Sequence, residues 1–192
     1  MALRESTFEL RLGNPAPDFQ LPDPEGKLHS LQNLKGEKAT LIAFWCNHCP
    51  YVKHIREPFL RLCREFTPLG LGVILINSND SEKYPDDSPR KMQEEIRTYG
   101  YDIPYLVDET QDIAKAYFAA CTPDFFLFDQ HLDLSYAGQM DQSRPGNEIP
   151  VTGKDLRQAI TATLNQNPIE FRIYPSAGCN IKWKPGQNPD YF

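Results

Sequence analysis

Thr40-Leu41-Ile42-Ala43-Phe44-Trp45-Cys46-Asn47-His48-Cys49-Pro50 is the stretch whose reading decides the fold. Its first six residues form a short apolar segment of the kind shown by a strand buried on both faces. From Tyr51 to Phe66 the apolar residues fall at Val52, Ile55, Phe59, Leu62, Cys63 and Phe66, spaced to share one helix face. Strand, two cysteines, helix is therefore the order of parts. The C-x-x-C pair is thus placed at or just before a helix N-terminus, where unsatisfied N–H groups and the helix dipole favour an anion. A thiolate is such an anion, and a thiol more acidic than usual is a reactive one.

Working outward, Leu71–Ile76 is a second buried-type strand, followed by a polar loop to about Asp87. Ser88 with Pro89 then predicts a helix start, with Met92, Ile96 and Tyr99 on its inner face and Gly100 after its end. Tyr105–Val107 is a short extended run, and Gln111–Phe118 reads as a brief helix with Ile113, Ala116 and Tyr117 inward. Cys121-Thr122-Pro123 breaks it. Phe125–Phe128 and Leu134–Ala137 flank Asp129-Gln130-His131 as an antiparallel hairpin, and Thr152 to Asp155 has capping-box spacing ahead of a helix ending at Leu164. Upstream, extended pieces around Phe19 and Lys27–His29 predict a small N-terminal hairpin. The alternation predicts an α/β fold: a central mixed β-sheet with helices on both faces. The expected organisation is an extension over 1–13, one domain over 14–164, and an irregular, proline-rich C-terminal tail over 165–192.

A chain of 192 residues has room for one real core. The net charge of −6 and the absence of any basic stripe argue against nucleic acid as a partner. Arg4, Glu5, Glu9 and Arg11 interrupt the apolar core an export signal needs, and no apolar run is long enough to span a bilayer. The expectation is a cytoplasmic protein with no membrane partner, where a disulfide is transient and chemical rather than structural. Five cysteines, at 46, 49, 63, 121 and 179, make no even framework, which also points to chemistry at a subset.

Trp45-Cys46-Asn47-His48-Cys49 after a buried strand resembles the active-site motif of the thioredoxin superfamily. Ala16-Pro17-Asp18-Phe19 followed by Gly26-Lys27 resembles the opening of its redoxin, peroxiredoxin-like (AhpC/TSA-type) branch, and Thr122-Pro123 before a Phe-rich strand resembles its cis-proline segment. The resemblance spans roughly residues 13 to 164 and implies a thioredoxin fold and a redox-active disulfide. It implies Cys46 as nucleophile, Cys49 as the thiol that resolves the mixed disulfide, and His48 as a stabiliser of the nucleophile's thiolate. Trp45, Thr122 and Pro123 would support the pair, the last two offering backbone groups to a bound substrate chain. The implied activity is thiol-disulfide exchange on a protein or small-molecule disulfide, with an external dithiol reductant such as a thioredoxin or glutathione system. The same branch also contains antioxidant peroxidases, in which one thiolate is oxidised by a hydroperoxide and the other resolves it. No cofactor and no metal are implied.

Two departures from these patterns concern the reaction. Thr40 stands where thioredoxin has a buried aspartate, six residues before the first cysteine. If the peroxidase pattern Pro-x-x-x-Thr-x-x-Cys is ended at Cys49, Ile42 and Cys46 replace its proline and threonine, and Arg144 is the candidate cation. Against the redox reading stand two buried inert thiols, and a non-catalytic copper-binding or redox-sensing protein using Cys46, Cys49, His48 and His54. A structural zinc site would want a second ligand pair, which the spacing lacks. Cys63 reads as core. Cys121 and Cys179 remain possible additional redox thiols, with packing favoured for Cys121. Trp183, Tyr191 and Phe192 are expected to fasten the tail to the body.

Overall fold

A computed structural model describes residues 3–192. In chain order the elements are β1 (Leu3–Glu5), β2 (Gln20–Pro22), β3 (Leu28–Ser30), α1 (Leu31–Leu34), β4 (Ala39–Phe44), α2 (Pro50–Phe66), β5 (Leu71–Asn77) and α3 (Pro89–Tyr99). They continue with β6 (Tyr105–Val107), α4 (Asp112–Ala116), β7 (Cys121–Thr122), β8 (Asp124–Asp129), β9 (Leu134–Gly138), α5 (Lys154–Leu164) and β10 (Ala177–Asn180).

The central sheet has the order β6-β5-β4-β8-β9. Strands β4, β5 and β6 run parallel through helical crossovers, whereas β8 and β9 join antiparallel as a hairpin. This is the mixed sheet expected from the alternation of elements. All six residues of β4 are buried because the strand is covered on both faces. Leu41, Ala43 and Trp45 point into one core with Val52, Phe59, Leu62, Leu156 and Ile160, from α2 and α5. Ile42 and Phe44 point into the other, with Leu31, Ala114, Tyr117, Phe126 and Phe128.

The N-terminal hairpin forms as β2 and β3. Smaller expectations shift for local reasons. The α4 helix is shorter than predicted: it buries Ala114 and leaves Ala116 exposed, and Tyr117 is buried just past its end as the C-cap residue. The capping box before α5 does not form. Gly153, with φ of 68°, precedes the helix, the Thr152 hydroxyl accepts from the Lys154 N–H at 3.3 Å, and Asp155 instead accepts from Gln139 Nε2 at 2.7 Å.

The two ends of the chain are tied to the body. The tail beyond residue 164 is irregular except for β10, which lies between β1 and β7 in a separate three-stranded antiparallel sheet. The extension thus pairs with the tail, and the tail with the segment before Pro123. Trp183 packs edge-on against Phe192 with ring centres 6.0 Å apart, and Tyr191 donates to the carbonyls of Ala114 and Ala119, as the aromatic residues of the tail led us to expect. Among the described residues no helix is long and apolar enough to cross a membrane.

Candidate functional site

Strand β4 ends at Phe44 and α2 begins at Pro50, with Cys49 as its N-cap residue, so the buried strand delivers both cysteines to the C-terminal edge of the sheet. Proline at the first helical position suits a start there, since its missing N–H would have had no partner. Trp45 lies fully buried behind the pair, its ring 4.9 Å from that of Phe59 and its Nε1 donating to the Tyr101 hydroxyl at 3.2 Å. Tyr105 donates to Asn47 Oδ1 at 3.0 Å, which holds the turn between the cysteines from behind.

Thr122 and Pro123 face the pair, joined by a cis peptide bond. The Cys46 Sγ lies 3.2 Å from the Thr122 hydroxyl, and the Cys49 thiol lies 3.2 Å from the Thr122 carbonyl. One residue therefore touches both sulfurs. A cleft that reaches Pro123 is lined by Tyr51, His54 and Arg144. The Arg144 guanidinium is committed to the carbonyls of Asp141 and Ser143 and to Gln139 Oε1. His54 bonds to the Ser143 hydroxyl at 2.7 Å, so it does not join His48 beside the pair.

Asp87, which sequence reasoning did not single out, organises the motif. It is 2% exposed and sits at the end of the polar loop after β5. Its carboxylate accepts from the backbone N–H of Asn47 at 2.8 Å, from that of His48 at 3.3 Å, from Asn79 Nδ2 at 2.8 Å and from His48 Nδ1 at 2.5 Å. The His48 ring stacks on Tyr84, and its Nε2 is buried with no partner among the described residues. The Cys46 sulfur, a His48 ring nitrogen and an Asp87 oxygen lie within 4.8 Å of one another. That trio has donors suited to a borderline transition metal, and equally places an acid–base dyad beside a thiol. Thr40, by contrast, is buried with its hydroxyl accepting from the Gly36 N–H at 3.1 Å. The acid absent from β4 thus has a counterpart reaching the pair from another loop.

The two motif sulfurs and that of Cys179 form one buried cluster, in which each sulfur meets opposing influences. Burial, the hydrogen bond with Cys49 and the negative charge of Asp87 together push the Cys46 thiol well above its ordinary acidity range. At Cys49 burial opposes ionisation, while the hydrogen bonds with Cys179 and Cys46 and the backbone N–H groups of Val52 and Cys179 favour it and shift the thiol below the usual cysteine range. Cys179 arrives on β10, its sulfur 2.7 Å from that of Cys49. Cys121, on β7, donates its thiol to the Pro123 carbonyl at 3.5 Å. Cys121 and Cys63 are both buried, which pushes both thiols up, and Cys63 lies on the inner face of α2.

The sequence model of the AhpC/TSA family matches residues 12–137, which hold both motif cysteines and the cis-proline. The chain belongs to the AhpC/TSA family. One similar solved structure, an uncharacterized conserved protein from Geobacillus kaustophilus, is 48% identical, with a TM-score of 0.93 over 97% of this chain and 98% of that one. A thiol:disulfide interchange protein, a thioredoxin family protein from Chlorobium tepidum TLS, is 18% identical with a TM-score of 0.61 over 80% of this chain and 97% of that one, and it identifies the fold as a thioredoxin fold. Thiol-disulfide oxidoreductase ResA from Halalkalibacterium halodurans is 27% identical over 65% of this chain. This family member spans 66% of that relative's length.

Proposed function

We propose that this AhpC/TSA-family chain is a thiol-disulfide oxidoreductase whose redox couple is Cys46 and Cys49. The observation that carries the reading is the convergence of both sulfurs on Thr122, with environments that favour the thiolate at one and the thiol at the other. Disulfide exchange requires that split: a thiolate to attack, and a second thiol within reach that stays protonated until its turn. The relatives named thiol-disulfide oxidoreductase ResA support the same class.

In this reading Cys49 attacks one sulfur of a substrate disulfide, and the other substrate sulfur leaves as a thiolate and takes up a proton. Cys46 then loses its proton, with the His48–Asp87 dyad close enough to receive it, and attacks the Cys49 sulfur of the mixed disulfide. The second substrate thiol is released and a Cys46–Cys49 disulfide remains. Two electrons have passed to the substrate, and an external dithiol such as a thioredoxin or glutathione system returns them. The roles implied by the motif resemblance are thereby exchanged between the two cysteines. The finer expectations, an antioxidant role and a cytoplasmic setting, belong to this proposal and rest on the sequence alone.

The test is turnover of a glutathione mixed disulfide and of insulin by the wild type, Cys46→Ser and Cys49→Ser, with hydroperoxide consumption measured alongside. Cys49→Ser is expected to fall to background, and Cys46→Ser to accumulate a mixed disulfide on Cys49 visible by mass spectrometry. A mixed disulfide trapped on Cys46 in Cys49→Ser would return the attacking role to Cys46. Hydroperoxide consumption far faster than disulfide reduction would replace the reading with a thiol peroxidase.

A further inference from the structure

We propose that the C-terminal strand is an internal substrate of the site: Cys179 exchanges with Cys49, so that Cys49 has two alternative disulfide partners in the same chain. This rests on the oxidoreductase reading and adds a third redox thiol to it.

Three observations converge on β10. The first is register. Cys179 pairs with Thr122 and Asn180 with Cys121, so β10 occupies the backbone edge just before Pro123, beside both sulfurs. An extended peptide recognised through main-chain hydrogen bonds adds itself to such an edge. Here the chain's own tail has done so, with a cysteine directly opposite the residue that touches Cys46 and Cys49. The second is reach. The Cys179 and Cys49 sulfurs are 2.7 Å apart, and burial leaves Cys179 1% exposed. A thiol held in contact with its partner sulfur behaves as if present at very high concentration, because no encounter has to be arranged.

The third is anchoring on both sides of the cysteine. Before it, the Ser6 N–H donates to Ser176 O at 2.9 Å. After it, the Ile181 N–H donates to Ala120 O, the Asp80 N–H to Lys182 O, and the Lys182 N–H to Asn79 Oδ1. Gly178 completes the fit. A Cβ there would stand 2.1 Å from the Thr122 carbonyl oxygen, so only glycine lets β10 come this close. The segment is held where a docked peptide would be held, rather than passing by.

The exchange balances without an outside reagent. From the Cys46–Cys49 disulfide, Cys179 loses its proton and attacks the Cys49 sulfur. The Cys49–Cys179 bond forms, the Cys46–Cys49 bond breaks, and the electron pair leaves on Cys46, which takes up one proton. Oxidation state is unchanged and the disulfide has moved to the tail. A Cys49–Cys179 bond fastens β10 across the edge that a peptide substrate would need, and return of the bond to Cys46 removes that fastening.

The test is linkage mapping of the full chain after mild oxidation with diamide, followed by alkylation, proteolysis without reductant and mass spectrometry. Cys46→Ser is expected to form an intramolecular Cys49–Cys179 disulfide. Cys179→Ser is expected to form Cys46–Cys49, and the wild type to show both. The folding of each variant is checked by circular dichroism. If Cys46→Ser instead leaves Cys179 fully alkylated while Cys49 carries only an adduct, the inference is overturned even where the wild type reduces substrate disulfides. If the Cys49–Cys179 bond forms but no variant or wild type turns over a disulfide, the exchange stands and the oxidoreductase reading fails. A Gly178→Val variant supplies the control. Separating β10 from Thr122 is expected to lower the yield of Cys49–Cys179 by more than about tenfold, since the gain from holding the two thiols together is lost.

Discussion

The central sheet and the small sheet of β1, β10 and β7 are built on opposite principles, although they meet at the same pair of sulfurs. In the central sheet, β4 and β5 are near-continuous apolar runs stabilised by burial on both faces, and their pairing is set by neighbours close in sequence. The small sheet joins Leu3–Glu5, Ala177–Asn180 and Cys121–Thr122, segments from the two ends and the middle of the chain. None has an apolar alternation, and what holds them is main-chain pairing and one close approach at Gly178. The first sheet positions Cys46 and Cys49. The second decides what they touch.

The most damaging way to separate the two is Gly178→Val. A side chain forced against the Thr122 carbonyl must move backbone, and a loss of about 3 kcal/mol is expected in urea unfolding, in the range of strained buried substitutions. The alkylation rate of Cys179 in the folded protein should rise in parallel. Unchanged stability with Cys179 still protected would mean that the tail tolerates displacement and that its closeness to Thr122 is incidental.

Asp87→Asn probes the edge where the two sheets share the motif. The carboxylate accepts four N–H groups, so its replacement should cost about 1–3 kcal/mol as some of these donors are left unpaired. It also removes a negative charge that raises the Cys46 thiol. The pH midpoint for iodoacetamide modification of Cys46, measured in a Cys49→Ser background, should therefore move to lower pH. A midpoint that stays put would detach Asp87 from the chemistry and leave it a loop clamp.

The smallest expected effect is at Asp124, which follows the cis-proline and accepts from the Ser6 hydroxyl and the Ala120 N–H. Burial pushes its carboxyl up to about 6, so the folded chain keeps a proton that the unfolded chain releases near ~3.9. Its contribution to stability is therefore complete below the unfolded value and is lost as pH rises through about 6. Asp124→Asn should flatten the pH dependence of the urea midpoint between about 4 and 6. A slope unchanged by the substitution would place the titration elsewhere.

Legibility followed the same divide. The strand, the C-x-x-C, the α2 face and Thr122-Pro123 announce themselves through periodicity and local chemistry, and the motif resemblance placed the cis-proline opposite the pair. Asp87 gave no such signal. It is one of two adjacent aspartates in a polar loop, and only the burial of Asp87 beside Asn47 and His48 distinguishes it from Asp86. The signal available was the missing acid at Thr40, which asked for a carboxylate without saying where.

What the chain determined by itself is the chemistry carried on one strand-turn-helix unit, because burial periodicity and a helix N-terminus are properties of neighbouring residues. Which groups act on each sulfur was decided only by tertiary structure. Those groups, Asp87 against Cys46 and Cys179 against Cys49, come from a loop 41 residues away and a strand 130 residues away, and electrostatic stabilisation depends on distance in space rather than along the chain.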